Sequence, residues 1–170
     1  EITASGVDNG IFAENTVTIQ GGTVSASTTT PTGKVGIGAQ NDAITISGGT
    51  VTATAASGNG HGIHAQNNNV VISGGTVTST GTAVGISTLG SSITISGGVL
   101  TATASGSPSY AIDILAPGQL QLTGEYADPT KRTIMQGAAV VFAAQAFGID
   151  LPTSALLAVV VTATAASIGT

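Results

Sequence analysis

The stretch Ile44-Thr45-Ile46-Ser47-Gly48-Gly49-Thr50-Val51-Thr52-Ala53-Thr54 decides how this chain is read. Apolar residues alternate with hydroxyl residues on either side of a Gly-Gly pair. That is the period of two short strands meeting at a corner. The unit returns at Val17–Val24, Val70–Val77 and Ile93–Leu100, and its Gly-Gly pairs are 27, 26 and 23 residues apart. A degenerate fifth copy is Leu120-Gln121-Leu122-Thr123-Gly124. A second mark recurs once per unit: Gly10-Ile11, Gly36-Ile37, Gly62-Ile63, Gly85-Ile86 and Ala111-Ile112.

Aligning the copies gives three inward rows. The first joins Ile11, Ile37, Ile63, Ile86 and Ile112, the second Val17, Ile44, Val70, Ile93 and Leu120, the third Ile2, Val24, Val51, Val77 and Leu100. Three short strands in each 23–27-residue unit, with no helical stretch between them, predict an all-β parallel β-solenoid of about five three-strand coils. Gly-Gly falls where the second strand turns into the third, and glycine reaches positive φ there at little cost. The solenoid is expected over residues 1–124 and an apolar C-terminal tail over 125–170. Glu1-Ile2-Thr3-Ala4-Ser5 matches Thr50–Thr54, so the chain enters partway through a coil, as a processed form or a fragment would.

Composition narrows the function. The chain has 170 residues, 3 basic and 8 acidic side chains, and a net charge of −5; charged residues are 6%, against about 25% in ordinary soluble domains. Three basic residues cannot neutralise a phosphate backbone, so no nucleic-acid partner is expected. The absence of cysteine removes disulfides and thiolate sites. No apolar run approaches the roughly 18 residues of a membrane helix, so no membrane span is expected. A surface rich in Thr, Ser, Asn and Gly suits an extracellular or cell-surface location.

The acidic residues are spread over the coils with no adjacent pair, which predicts no carboxylate catalysis and no enzyme activity. His61 and His64 are the only histidines, and nothing acidic flanks them in sequence. Asp42 and Glu14 fall near one corner of successive coils, a turn rather than a cation site. No metal, no cofactor and no catalytic residue is expected. With Ile63 inward, His64 points outward in a row with Phe12, Gly38, Ser87 and Asp113. The outward third-strand row Thr3, Ser25, Thr52, Thr78 and Thr101 is all hydroxyl and favours strand geometry. Asn15, Asn41 and Asn67 align at a turn, where stacked amides can bond to one another.

After Gly124 the repeat is lost. The polar segment Glu125–Arg132 precedes Ala138–Phe147, a short helix or buried strand, and the β-branched run Ala155–Thr164, a strand. Such a tail caps its own solenoid or completes a neighbour, because an open terminal coil leaves unpaired strand edges.

The V/I-x-I-x-G-G-T-V and G-I-x-A-x-N motifs of residues 1–124 resemble the repeats of secreted bacterial parallel β-helix proteins of the pectate-lyase-like superfamily. One group of these is described as carbohydrate-binding domains. The resemblance implies a right-handed coil. Acidic pairs suited to calcium precede the Gly-Ile step in that group; here only Asp8-Asn9-Gly10-Ile11 approaches the pattern. The expected function is a non-enzymatic extracellular subunit that assembles end to end into a fibre or surface layer. Copies of itself would be its partners, through Ile2 and Ala4 at one edge and Leu157, Val159 and Val161 in the tail. The alternative is a carbohydrate-binding adhesin domain that meets polysaccharide through Thr52, Thr78 and Thr101 or through the face of Phe12, His64 and Asp113.

Overall fold

The structure is a computed structural model. It describes residues 1–124 except 33, 57, 90, 106–109 and 115–118, together with the backbone of strands at 133–136, 139–142 and 158–162. Every element is a strand. The chain opens with β1 (Ile2–Gly6), β2 (Asn9–Ala13) and β3 (Val17–Ile19). The next coil is β4 (Thr23–Thr28), β5 (Val35–Ala39) and β6 (Ile44–Ile46), followed by β7 (Thr50–Ala55), β8 (His61–Ala65) and β9 (Val70–Ile72). Then come β10 (Thr76–Gly81), β11 (Val84–Thr88) and β12 (Ile93–Ile95), and β13 (Val99–Ala104), β14 (Tyr110–Ile114) and β15 (Leu120–Leu122).

These strands stack into three parallel sheets, β1-β4-β7-β10-β13, β2-β5-β8-β11-β14 and β3-β6-β9-β12-β15. The result is the expected β-solenoid with three strands per coil: β1 to β13 completes four turns, and β14 and β15 begin a fifth. The register reproduces the aligned rows, with Ile37 on Ile63, Ile46 on Ile72 and Val51 on Val77. The inward isoleucines Ile37, Ile44, Ile46, Ile63, Ile72, Ile86, Ile93 and Ile95 are fully buried. Two polar residues share that interior, and each is bonded: Ser79 Oγ donates to the Gly85 carbonyl at 2.7 Å and Thr88 Oγ1 to the Ser91 carbonyl at 2.6 Å.

The second glycine of each pair turns the corner with positive φ: 79° at Gly22, 87° at Gly49, 85° at Gly75 and 89° at Gly98. The corner after the first strand is tied by side chains one residue beyond the aligned asparagines. There Thr16 Oγ1 donates to Asp42 Oδ2 at 2.8 Å and Asn68 Nδ2 to Asp42 Oδ1 at 3.4 Å.

Beyond residue 124 the strands are β16 (Thr133–Gln136), β17 (Ala139–Phe142) and β18 (Ala158–Thr162). β18 lies antiparallel on β13, with Val159 opposite Ala102 and Val161 opposite Leu100; β16 pairs with β18 and β17 with β16. The first sheet is thereby extended to eight strands. Leu157 lies outside the described residues, as do the polar segment Glu125–Arg132 and residues 143–147.

Candidate ligand cleft

The Gly-Ile step shapes the outer face of the β2-β5-β8-β11-β14 sheet. Gly36 and Ile37 are both buried, as are Gly62 with Ile63 and Gly85 with Ile86. The glycines face the third-strand backbone: a Cβ on Gly36 would lie 2.7 Å from the Thr54 amide nitrogen, and one on Gly62 would lie 2.8 Å from that of Thr80 and against Ser79 Oγ. Two consecutive inward positions break strict alternation. The residue before the step and the residue after it therefore share the outer face. One outer row is Asn9, Val35, His61, Val84 and Tyr110; the row beside it is Phe12, Gly38, His64, Ser87 and Asp113.

A cleft of about 770 Å³ lies over these rows, within the usual size of small-ligand sites. Its floor holds Phe12, Val35, His61 and His64, and its sides hold Asn9, Gln66, Leu89, Pro31, Thr32, Lys34 and the Gly58–Asn59 turn. Connection length positions the wall. Residues 29–34 and 56–60 lead into β5 and β8, whereas only Thr82 and Ala83 lead into β11. The first connection is anchored by Thr30 Oγ1 donating to the Val7 carbonyl at 2.8 Å and Lys34 N–H to the Asp8 carbonyl at 2.6 Å.

Phe12 is 45% exposed. A Cβ on Gly38 would stand 2.8 Å from Phe12 Cδ2, so the ring lies in the space that Gly38 leaves vacant. This fixes a flat apolar platform on the strand two rungs from His64. Aromatic faces of this kind take the C–H face of an apolar or sugar ring.

At the other end, His61 Nδ1 and His64 Nδ1 both lie 2.7 Å from Ser87 Oγ. The two ring centroids are 4.9 Å apart with planes at 47°. Burial lowers the pKa of both histidines. For His61 the negative charge of Asp113 opposes that shift. For His64 burial and the neighbouring His61 hold the pKa down to about 4, against a backbone hydrogen bond at Ser87. Both imidazoles are therefore neutral at pH 7. Ser87 is 2% exposed, so its hydroxyl orients the rings and does not face a ligand. No family model, curated protein or solved structure matches the chain.

The expected site residues separate. Phe12 and His64 share the cleft. Thr52, Thr78 and Thr101 form a continuous row, but on the β1-β4-β7-β10-β13 sheet, away from it. The Asp42 carboxylate accepts from the Ala43 amide and the Thr16 hydroxyl, which together hold its pKa below the usual value. No group of three or more His, Cys, Asp or Glu suited to a metal occurs among the described residues. Sequence reasoning missed His61, because plain alternation puts positions 61 and 64 on opposite faces. The recurrent Gly-Ile mark was the signal that the alternation breaks there.

Proposed function

We propose that the chain is a non-enzymatic carbohydrate-binding domain of an extracellular or cell-surface protein, with the Phe12–His64 cleft as its contact surface. The observation that carries this reading is the cleft itself: an exposed aromatic ring beside amide and imidazole groups, between walls formed by two long connections. Phe12 to His64 spans two rungs, roughly 10 Å at the usual strand spacing, room for two consecutive sugar units. The test is retention of the full chain on immobilised xylan, mannan, pectin and cellulose. Binding to at least one is expected. Phe12→Ala is expected to weaken it about tenfold, the usual scale of one aromatic contact, while Thr52→Ala with Thr78→Ala leaves it unchanged. Retention indifferent to Phe12→Ala would overturn the cleft as the surface.

End-to-end self-assembly is the second reading, favoured by the sheet edges. Among the described residues β14 and β15 have a strand on one side only, as do β2 and β3 at the opposite end. Pairing β14 with β2 and β15 with β3 of a following copy would continue both apolar rows. On the first sheet β18 occupies the outer side of β13, where Ile2 and Ala4 of such a copy would otherwise dock. Negative-stain electron microscopy over a dilution series should show filaments with a repeat near one solenoid length; dispersed particles at every concentration would remove this reading.

A further inference from the structure

We infer that the His61–Ser87–His64 cluster is a matched donor–acceptor pair that selects a vicinal diol; this rests on the cleft being the contact surface. The Ser87 hydroxyl carries a single hydrogen, and its bonding partners are the two Nδ1 atoms, each at 2.7 Å. Ser87 is enclosed, so a hydroxyl hydrogen aimed elsewhere would be buried without an acceptor, which is costly. The hydroxyl therefore donates to one ring and accepts from the other. The ring that accepts is the Nε2–H tautomer; the ring that donates is the Nδ1–H tautomer and bears a lone pair on Nε2. Ser87 thus holds two chemically identical side chains in opposite tautomers.

The consequence appears at the cleft. Both rings line the cleft with their centroids 4.9 Å apart, and with each Nδ1 engaged by Ser87 the Nε2 is the nitrogen left to a ligand. One offers an N–H and the other a lone pair. Two neighbouring hydroxyls of a pyranose can engage the two nitrogens together, each through a hydrogen bond of about 2.8 Å. One hydroxyl accepts and its neighbour donates. An ammonium or a carboxylate fits less well, because it supplies only donors or only acceptors. The charged groups near the pair are Asp113 on β14, which acts on His61, and Lys34 just before β5, which lines the cleft.

The experiment is long-range proton–nitrogen NMR of the histidine rings in the full chain at pH 7. One Nδ1–H and one Nε2–H ring are expected. Two rings of the same tautomer would overturn the inference. Ser87→Ala is expected to release both to the Nε2–H form, with Ser87→Thr restoring the opposed pair. Titration with cis-cyclohexane-1,2-diol should shift the Nε2 resonances about tenfold more tightly than cyclohexanol, which presents the same apolar ring with one hydroxyl. Equal affinity for the two would overturn the pair as a diol reader, even where the chain still binds a polysaccharide. Diol selectivity with no retention on any polysaccharide would keep the pair and sink the polysaccharide reading instead.

Discussion

Gly75→Ala is expected to destabilise the solenoid by about 2–5 kcal/mol, and Gly22→Ala by only about 1–2 kcal/mol. The two positions have nearly the same backbone, with φ of 85° and 79°. A side chain at either bears the same left-handed strain, about 1–2 kcal/mol. They differ in what lies beneath. A Cβ at Gly22 meets nothing within 4 Å, whereas one at Gly75 would lie 2.5 Å from the Gly49 carbonyl oxygen and 2.8 Å from the Gly48 carbonyl carbon. That oxygen already accepts the Thr76 N–H at 2.8 Å, so displacing it loosens a rung of the sheet. Backbone on a neighbouring coil cannot rotate aside as a side chain can. Urea unfolding of the two variants measures the difference. Equal losses would show that the glycines serve the turn alone and not the stacking of one coil on the next.

The same comparison explains what could be read from sequence. Spacing of the Gly-Gly pairs and parity within each copy located the three sheets and their register, because a parallel solenoid places equivalent residues directly above one another. Ile46 on Ile72 on Ile95 follows from alignment alone. The row Thr52, Thr78, Thr101 followed for the same reason. The cleft was only half legible. Phe12 and His64 share an outward parity, but the arrival of His61 beside them depends on Gly62 turning inward against Ser79 and Thr80, a contact between sheets. Nor does one strand's sequence show that Gly38 makes room for the Phe12 ring one rung away. Connection length was visible in the shortening of the step from 27 to 23 residues, but its meaning as a missing wall needed the sheet's outer face. The tail strands lacked repeat partners to align against. Only the β-branched run containing Val159 and Val161 announced a strand, and its antiparallel pairing to β13 breaks the parallel rule that β1 to β15 obey.

Stability should fall by up to about 3 kcal/mol as pH drops from about 6.5 to about 4, with His64 as the main cause. In the unfolded chain a histidine titrates near its ordinary value of 6.5; in the folded chain burial and His61 hold His64 at about 4. Between these values the unfolded state binds a proton that the folded state refuses, so stability is full above the upper value and drains away toward the lower one. His61 acts in the same direction, since burial lowers its pKa as well, and Asp113 restrains that shift. Asp42 has a lowered pKa too, but its contribution is lost only below the ordinary carboxylate range and lies outside this window. Urea midpoints measured at steps between pH 7.5 and 4.5 should decline for the wild-type chain and much less for His64→Gln, which cannot take up the proton. Parallel declines for both chains would mean that the acid sensitivity resides elsewhere and that His64 is not held neutral by its surroundings. The link to the cleft is direct. A ring protonated on both nitrogens has no lone pair to offer, so the burial that keeps these imidazoles neutral supplies their acceptor and also makes this rung the acid-labile part of the coil.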